Sequence, residues 1–544
     1  MPEPFYLYLP KLNQLKKSLP VNDRSLFIVL AATLFFAFPV TALLAQSNGS
    51  TEIVALPGPV QLPARIPAGF TWLHDIRPDS SFFESFGNRY AEDTLSIFCF
   101  RGNERRSAPS RGTVKGRPKG IIADWNFQTA YDNTNTALGT WGGGAGWTGQ
   151  PLILKWTSEQ KKSLGIADPV FAQREDALEV IIGSLCGNIY FLDAERGVPT
   201  RPHLSIGNPI KGTVSVDPRK NGLLYVGQGI KAGSRFGGYV FNMFTRRELV
   251  HIPGLDPFAA RNWGAFDSNP LVDAASGTVF WPAENGLIYR FRSGPEGITD
   301  LTRLKYQHPK MFRQGLEASM SVWRNLGFFS DNSGTVLCID LRTMKPVWQA
   351  DNFDDSDASL LFESVGDLAW IYTGHEIDKL APQAVSRFRK LDARTGKELW
   401  NIGRSCYGTN LNGKTNSGGI LCSPVLGKRK GEGLVYTLFS RVNAKNQGEL
   451  VAVDKHTGKE VFSYLLDNYS WASPVDFYDQ AGNIYLFFTD VYGTVYILDG
   501  RTGQQLVKTK TGNVFEASPV IINDRVIVAA RGRSILSYCI QTGE

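Results

Sequence analysis

The stretch of the chain most suggestive of chemistry is "GTNLNGKT", residues 408–415, which fits the phosphate-binding pattern G-x-x-x-x-G-K-[ST]. In that motif a helix begins at the lysine, and its free N–H groups hold the phosphates. Here the following residues, "NSGGILCSPV", combine two glycines with an apolar, strand-like run. The pattern therefore predicts a loop between two strands and not a nucleotide site.

A second glycine-rich stretch, "GAGWTG" at residues 144–149, matches the dinucleotide pattern G-x-G-x-x-G but leads into the strand-like "QPLILKW". A dinucleotide site needs a helix at that point. Neither G-x-S-x-G nor H-E-x-x-H occurs, and the six histidines are scattered along the chain. These features give no support to a dinucleotide enzyme, a hydrolase or a zinc enzyme.

The acidic loop "DNFDDSD", residues 351–357, carries the kind of oxygen ligands that calcium prefers. It lacks the ligand spacing of an EF-hand loop. We interpret it as a solvated loop and predict no metal ligands in the chain.

Six cysteines are present, and none are adjacent or form C-x-x-C. This spacing argues against a zinc ribbon, a c-type haem site and a thioredoxin-like motif. Cys406 and Cys422 flank the "GTNLNGKT" loop and are the pair best placed for a disulfide outside the cytoplasm. The alternative is that all six are small buried apolar residues, which we favour for Cys186 and Cys338.

The composition indicates many short strands joined by tight turns. The 544 residues include 55 glycines, 12% are aromatic, and long helical patterns are missing. The net charge of +7 is spread along the chain without a basic run, so we expect no nucleic-acid partner.

The N-terminus differs from the rest, because Lys11, Lys16, Lys17 and Arg24 precede a run from residue 26 to 45 without charge. Residues 1–46 therefore predict either a signal peptide cleaved near Ala45 or an anchor in the inner membrane. The positive charges keep the N-terminus in the cytoplasm, so everything after the run is exported, to the periplasm or the cell surface. Residues 47–97 are rich in Pro, Gly and Ser and predict an extended linker with a partly ordered end.

The remaining chain is repetitive, with eight similar units that each hold a strand, a glycine and a second strand with an acidic-glycine turn. Their spacing of about fifty residues is a propeller-blade period. The units align on Pro151, Thr213, Pro270, Met320, Leu360, Pro424, Pro474 and Pro519.

One unit, "LDARTGKELW", shows the chemistry of the repeat. The carboxylate of Asp392 can accept hydrogen bonds from N–H groups of its turn, Gly396 supplies a left-handed backbone conformation, and Trp400 lies on the next strand. Repetition makes these turn and docking residues, not catalysts. The set comprises Asp340 with Trp348, Asp392 with Trp400, Asp454 with Phe462, and Asp499.

The segments "LDARTGKELW", "AVDKHTGKEVF" and "YILDGRTGQQLV" resemble the repeat of pyrroloquinoline-quinone (PQQ)-type β-propellers, with the signature A-x-D-x-x-T-G-x-x-x-W. That family includes quinoprotein alcohol dehydrogenases and the non-enzymatic BamB lipoprotein of outer-membrane assembly. "FCFRGNERRSAP", from Phe98, is similar to the lead-in ahead of such propellers. The resemblance covers residues 98–544 and implies an all-β, eight-bladed PQQ-like propeller.

The last unit ends at "QTGE" without its outer strand, whereas "GIIADWNFQTAYD" near the start carries Trp125 and Phe127 with no turn before it. We predict that residues 121–129 complete the last blade, so that an N-terminal strand closes the ring and no sheet edge stays open.

The loops that enter the inner strands of a propeller gather at one mouth of its axis. Aromatic side chains and hydrogen-bond acceptors there could hold a flat quinone, a sugar or a peptide, or simply pack the loops together. The candidate ligand-binding residues are Trp141, Trp147, Trp263, Asn269, Glu317, Trp471 and Glu516.

Three functions from different classes fit these features: an exported, non-catalytic binding or scaffolding module, a PQQ- and calcium-dependent dehydrogenase, and a surface carbohydrate- or peptide-binding protein. The dehydrogenases of the family carry an adjacent cysteine pair under the quinone, and this chain has none. We therefore expect the first: a monomeric propeller of the cell envelope with a protein partner, no catalytic residues and no cofactor.

Overall fold

The computed structural model describes residues 58–87, 89–146, 149–233, 235–309, 314–411 and 414–543. The Cα positions divide the chain into two units, residues 1–55 and 56–544. The predicted signal or anchor, residues 1–46 with its apolar run 26–45, lies outside the described residues. Within the described ranges, no helix is both long enough and apolar enough to cross a membrane.

Short elements precede the repeat. They are strand β1 (Thr71–His74), helix α1 (Arg89–Glu92), a 3-10 turn (Phe100–Gly102), and strands β2 (Ser110–Arg111), β3 (Pro118–Gln128), β4 (Asp132–Thr136) and β5 (Gly139–Gly144).

Eight antiparallel sheets follow, which we number I to VIII in chain order; in sheets I to VII the four strands come from one repeat, whereas sheet VIII takes its fourth strand from the N-terminal side. The first four sheets have the following bounds. Sheet I holds β6 (Leu152–Lys155), β7 (Leu178–Gly183), β8 (Asn188–Asp193) and β9 (Leu204–Ser205), with helices α2 (Ser158–Ser163) and α3 (Pro169–Gln173) after β6. Sheet II holds β10 (Ser215–Val216), β11 (Leu223–Gly227), β12 (Gly237–Asn242) and β13 (Arg247–Pro253). Sheet III holds β14 (Leu271–Val272), β15 (Thr278–Pro282), β16 (Leu287–Gly294) and β17 (Gly297–Gln307). Sheet IV holds β18 (Ser321–Trp323), β19 (Leu326–Ser330), β20 (Thr335–Asp340) and β21 (Lys345–Asp351).

The second half of the chain repeats this arrangement with longer connections. Sheet V holds β22 (Leu361–Val365), β23 (Leu368–Thr373), β25 (Gln383–Asp392) and β26 (Glu398–Tyr407), with the short strands β24 (Glu376–Ile377), β27 (Thr409–Leu411), β28 (Lys414–Asn416) and β29 (Gly418–Gly419) around it. Sheet VI holds β30 (Val425–Leu426), β31 (Leu434–Phe439), β32 (Glu449–Asp454) and β33 (Glu460–Leu465), with a 3-10 turn (Arg429–Gly431). Sheet VII holds β34 (Val475–Tyr478), β35 (Ile484–Thr489), β36 (Thr494–Asp499) and β37 (Gln505–Lys510). Sheet VIII holds β38 (Val520–Ile522), β39 (Arg525–Ala529) and β41 (Ser534–Thr542), with β40 (Arg531–Gly532) beside it, and takes β3 as its fourth strand.

The sequence of a strand follows its place in the sheet. The second strand of sheet VII, "IYLFFT", is buried along its whole length because neighbouring sheets cover both of its faces. The fourth strand, "QLVKTK", is mostly exposed and carries polar residues. Apolar residues of adjacent sheets fill the space between them, as Phe487 of sheet VII does against Ile521 of sheet VIII.

A circuit of hydrogen bonds joins the start of each inner strand to the next sheet. Its members, the axial ring, are Gln150, Thr213, Asn269, Ser319, Ser359, Ser423, Ser473 and Ser518. From sheet III to sheet VIII, each backbone N–H of the ring donates to the serine hydroxyl of the following sheet at 2.8–3.0 Å. The N–H of Gln150 donates to the Thr213 hydroxyl (2.9 Å), the Asn269 amide donates to the Thr213 carbonyl (3.0 Å), and the N–H of Ser518 donates to the Gly149 carbonyl (2.9 Å). Sheet VIII is thereby linked back to sheet I.

The strand expected to complete the last unit occupies that position. Residues 118–128 pair antiparallel with residues 534–542. On its outer side, the indole N–H of Trp125 donates to the Ala194 carbonyl of sheet I (3.1 Å), and its ring lies against Gly197. The N-terminal strand β3 thus links sheet VIII to sheet I, in the way that the outer strands of other sheets contact the sheet that follows them.

The repeated turn residues act between sheets as well as within them. The Asp392 carboxylate accepts from the Arg394 N–H (3.0 Å) and the Thr395 hydroxyl (2.9 Å). Trp348 of the preceding sheet donates to the Ala393 carbonyl (2.9 Å) and packs on Gly396, where a Cβ atom would come within 2.6 Å of the indole. Gly396 also has φ +71°, so both its backbone and its neighbour require glycine. Trp400 on Gly458 and Phe462 on Gly503 repeat this contact.

Residues 97–114, which we call the axial segment, run among the inner strands and bond to all eight sheets. Arg101 and Arg106 in this segment are fully buried. In order from sheet I to sheet VIII, the partners are Ile153, Val216, Asn269, Val322, Phe362, Pro424, Pro474 and Ile521.

The predicted linker, residues 47–97, is described from residue 58 onward, and this part lies on the sheets. Strand β1 adds to the outer edge of sheet III, the Val60 N–H donates to the Asn325 side chain (2.6 Å), and Phe83 and Tyr90 enter the core. The division into 1–46, 47–97 and 98–544 stays a prediction.

The two glycine motifs and the cysteines can now be placed. Strands β27 and β28 form a hairpin from "GTNLNGKT", and "GAGWTG" leads into strand β6, so neither motif opens a helix. The expected disulfide is wrong: Cys406 and Cys422 are free and buried, because Cys406 packs between sheets V and VI and Cys422 between sheets VI and VII.

Candidate functional site

The loops and turns that connect the strands lie on two opposite faces of the ring of sheets. Since successive strands are antiparallel, the loops that enter each first strand share one face with the turns between second and third strands. We call this the upper face. The lower face carries the turns between first and second strands and those between third and fourth strands.

The upper mouth of the axis is formed by residues two positions before the axial ring. In six sheets this position holds a charged or aromatic side chain, whereas sheet VI has Leu421. These mouth residues are Lys211, Asp267, Glu317, Asp357, Trp471 and Glu516.

Lys211 is the centre of the first charged group at the mouth. Its ammonium forms an ion pair with Asp267 and lies 3.2 Å from Glu317 Oε1 and 4.0 Å from Glu284 Oε1. Burial alone would lower the pKa of Lys211, but the three carboxylates together outweigh burial and raise the pKa well above its usual value. Residues from sheets II, III and IV therefore converge on one ammonium group.

Glu284, in the turn between β15 and β16, ties Trp263 into this group. The Trp263 indole N–H donates to Glu284 Oε2 at 2.7 Å. Burial, followed by the charge of Glu317, raises the pKa of Glu284 well above its usual value. Within the described residues, Asp267 Oδ1 and Glu284 Oε1 accept no hydrogen bond although both atoms are buried. The three carboxyl groups thus share the cations Lys211 and Arg261, and two of their buried oxygens keep capacity to accept a further hydrogen bond.

A second acidic group, Asp355, Asp357 and Glu376, adjoins the first. Lys379 lies 3.2 Å from Asp355, and the Asp357 N–H donates to Glu376 Oε1 at 3.2 Å. Burial raises the pKa of Asp357 well above its usual value, and the charges of Glu317 and Glu376 raise it further. For Glu376, burial and the charge of Asp355 raise the pKa in the same way.

The prediction of a solvated loop at residues 351–357 is therefore wrong. Asp354 and Asp357 are buried, since the loop turns inward beneath the second strand of sheet V. Asp354 accepts from the backbone N–H groups of Asp378, Lys379 and Leu380 at 2.9–3.1 Å. Its carboxylates serve different partners and do not form a common ligand cage.

On the opposite side of the mouth, Arg531 connects two of the predicted residues. Its guanidinium lies 5.1 Å from the centre of the Trp141 ring and 3.5 Å from Glu516. Trp141 lies in β5, ahead of sheet I, whereas Arg531 and Glu516 belong to sheet VIII and the loop that enters it, and β5 pairs with β40 at this point. Trp141 and Glu516 are thus brought together at the ring junction.

The other predicted ligand-binding residues divide between three places. Glu317 and Trp471 hold mouth positions, and Trp263 is bonded to Glu284 of the group around Lys211. Asn269 lies deeper, where its Oδ1 accepts from the Phe100 N–H (3.1 Å) and from Arg106 (3.0 Å) and its amide donates to the Thr213 and Val214 carbonyls. Trp147 lies outside the described residues.

Sequence reasoning missed most of the charged residues at the mouth. Lys211, Asp267 and Asp357 share the repeat position of Glu317, so reading that single column through all eight units finds them. Glu284, Glu376 and Arg531 lie in turns of different length, and no sequence signal aligns them.

The quinone and calcium of the dehydrogenases do not fit this mouth. The oxygens of Asp267, Glu284 and Glu317 lie within 4.8 Å of one another, which is a spacing a metal ion could use. The ammonium of Lys211 already lies among them, however, and bonds to two of the three carboxylates. No two of the six free cysteines are adjacent, so the pair that stacks under the quinone is missing.

Comparisons with known proteins agree with the repeat reading. Residues 447–544 match the family model described as "Outer membrane protein assembly factor BamB". A search of curated protein sequences finds no match.

Several solved structures are similar at low identity. BamB from Moraxella catarrhalis is 15% identical, over 77% of this chain and 99% of its own, with a TM-score of 0.47. A europium-containing methanol dehydrogenase is 12% identical, over 83% and 99%, with a TM-score of 0.40. Quinohemoprotein alcohol dehydrogenase from Comamonas testosteroni is 14% identical, over 83% and 81%, also with a TM-score of 0.40. At these values the likenesses carry no argument about function.

The match at the C-terminus begins before β32 of sheet VI and runs through sheets VII and VIII, and Gly458 and Gly503, on which docking aromatics pack, fall within it. Over residues 447–544 the chain is similar to this repeat family, and its eight sheets around one axis have the arrangement of a β-propeller.

Proposed function

We propose that this chain is an exported, non-catalytic binding propeller of the cell envelope, which holds a protein partner at its upper mouth. The observation that carries the proposal is the cluster of carboxyl groups at the mouth. Six of them (Asp267, Glu284, Glu317, Asp355, Asp357 and Glu376) lie around the cations Lys211, Arg261 and Lys379. Burial raises the pKa of Glu284, Asp355, Asp357 and Glu376, so a cation that enters the mouth displaces protons from them.

Such a mouth fits a partner segment that presents lysine or arginine side chains. Carboxylates that burial and hydrogen bonds already hold in place lose little conformational entropy when they pair with a cation. The tryptophans at the rim, Trp141 and Trp471, add apolar area of the kind that anchors protein interfaces.

Two further features support binding over catalysis. Beneath the mouth, the axial segment fills the space between the inner strands, and its arginines are bonded to backbone carbonyls. The matched family description names an assembly factor, and a scaffolding role for this chain would be of the same kind. Export is supported by the basic N-terminal residues ahead of the uncharged run 26–45.

A photo-crosslinking experiment in intact cells tests the proposal. Tyr492 is 58% exposed in the turn between β35 and β36, on the upper face near Trp471. A photoreactive residue at position 492 should yield discrete protein adducts, whereas one at Thr457 on the lower face should not yield the same adducts. Asp357→Asn with Glu516→Gln should weaken the adducts from position 492. Adducts that form equally from both faces would overturn the proposal.

A further inference from the structure

The lower face differs from the mouth in the sign of its charge. Six exposed cations there form what we call the lower basic patch: Lys115, Arg117, Lys119, Arg429, Lys430 and Arg501. They lie in the segment before β3 and its first residues, in the turn between β30 and β31, and in the turn between β36 and β37. These positions belong to the lower turns of sheets VI, VII and VIII.

Contacts between these turns show that the patch is continuous. Lys430 Nζ donates to Asn483 of the next sheet at 3.1 Å, and the Gln480 N–H donates to the Val114 carbonyl at 3.1 Å. Arg117 donates to Gln504 at 2.6 Å, in the turn that carries Arg501. The patch therefore spans three neighbouring sheets without a gap.

The charge of the patch is not neutralised by its surroundings. Within the parts of the chain that the structure describes, none of the six cations forms an ion pair. The acidic groups nearby are mostly engaged: Asp476 pairs with Lys428, Asp479 accepts from Asn483 and Tyr485, and Asp499 accepts from the amides of its turn. Glu432 and Asp524 are the exposed carboxylates in these turns.

The chain enters the described structure at this face. Val60, close to the first described residue Gly58, bonds to Asn325 in the turn between β18 and β19. The predicted membrane segment precedes it in the sequence, and twelve residues, 46 to 57, separate the uncharged run from Gly58.

We propose that the lower basic patch docks on anionic lipid headgroups, so that the lower face lies on the membrane and the acidic mouth points away from it. Lys and Arg side chains close to an anionic membrane surface are each attracted to it, and the attraction falls off within a Debye length. The inference goes beyond the proposed function, since it concerns the opposite face.

Lysine labelling of the full chain in vesicles tests this orientation. The protein is reconstituted into phosphatidylcholine alone or into phosphatidylcholine mixed with phosphatidylglycerol, and the modification rate of each lysine is read by mass spectrometry. Lys115, Lys119 and Lys430 should react about fivefold more slowly in the anionic vesicles. High salt should remove the difference, because screening shortens the range of the attraction. Lys231, Lys445 and Lys510, exposed on the upper face, serve as references in the same molecule.

Charge reversal separates docking from other causes of protection. The triple variant Lys115→Glu, Arg117→Glu, Lys119→Glu should abolish the protection of Lys430, which it leaves unaltered. The matched variant Lys231→Glu, Lys445→Glu, Lys510→Glu has the same net charge and should keep it. The proposal would be overturned if Lys430 of the wild type is modified at equal rates in the two lipids, or if the upper lysines are modified more slowly in the anionic vesicles. Because this comparison uses only the wild type, it does not depend on whether a variant folds.

Discussion

The two ends of the propeller axis bury charge in opposite ways. Below the axial ring, Arg101 and Arg106 donate to the carbonyls of Pro424, Pro474 and Met320, so each cation is matched to acceptors of the backbone. Above the ring, carboxylates crowd one another, and burial raises the pKa of Asp357 and Glu376. The lower charges hold the sheets together, whereas the upper carboxyl groups, in the function proposed here, give up protons to a cationic ligand.

The largest effect is expected when the lower end is removed. Deletion of residues 98–130 takes away both the axial segment, which bonds to all eight sheets, and strand β3. We expect the purified protein to lose its cooperative thermal unfolding, followed by circular dichroism. A chain that begins at residue 75 loses strand β1 at the edge of sheet III and surface contacts such as that of Val60 with Asn325, and it should still melt cooperatively. Unchanged melting of the first deletion would show that the segment is not structural.

A single residue of the lower end should come next. Asn269→Ala leaves the Phe100 N–H, one Arg106 N–H and the Thr213 and Val214 carbonyls without their partner. Unpaired buried groups next to a charge cost about 3–5 kcal/mol in the free energy of unfolding. Denaturant unfolding measures the loss. Asn401→Ala, an exposed residue of strand β26, should cost under about 0.5 kcal/mol; comparable losses would contradict the assignment.

The ring junction provides a more moderate test. Trp125→Ala removes the indole that bonds to Ala194 and packs on Gly197, and we expect a loss of about 2–3 kcal/mol for this half-buried side chain. Trp400→Ala, which breaks the equivalent contact on Gly458, serves as the reference. If Trp400→Ala destabilises and Trp125→Ala does not, strand β3 does not close the ring.

Residues that belong to the repeat can be assigned a structural role from the sequence, whereas residues outside the repeat cannot. The turn aspartates and docking aromatics recur at one spacing in several units, so Asp392 and Trp400 could be assigned from that spacing, and Trp125 from the outer strand that the last unit lacks. Arg101 and Arg106 lie in a stretch without repeats, and their carbonyl partners become neighbours only when eight sheets surround the axis.

The same limit applies to the mouth and to the cysteines. Glu317 was found as an acidic residue before an inner strand, but its partner Lys211 is 106 positions away and two sheets earlier. Cys406 and Cys422 are close in sequence yet lie on opposite sides of sheet VI. Separation along the chain is a poor guide to distance where a loop passes from one sheet to the next.

The smallest effect concerns the crowded carboxylates of the upper end. The folded chain raises the pKa of Asp357 above its unfolded value, so the folded state keeps the proton to higher pH. Stability must then fall as pH rises from about 4 through the folded pKa. Asp357→Asn should remove this decline and add about 1 kcal/mol at pH 8 with little change at pH 4. Exposed Asp176→Asn is the control for urea unfolding at both pH values, and a variant less stable at pH 8 would contradict the crowding.

The most direct test of the central claim, a filled axis beneath a binding mouth, is thermal melting of the protein with and without pyrroloquinoline quinone and calcium, together with its absorbance as isolated. A ligand that binds only the folded state raises the melting temperature. We predict no shift and a plain protein spectrum, because Lys211 lies among the carboxylates that would bind calcium. A clear rise or a quinone-like absorbance would contradict the claim and identify the mouth as a quinone site.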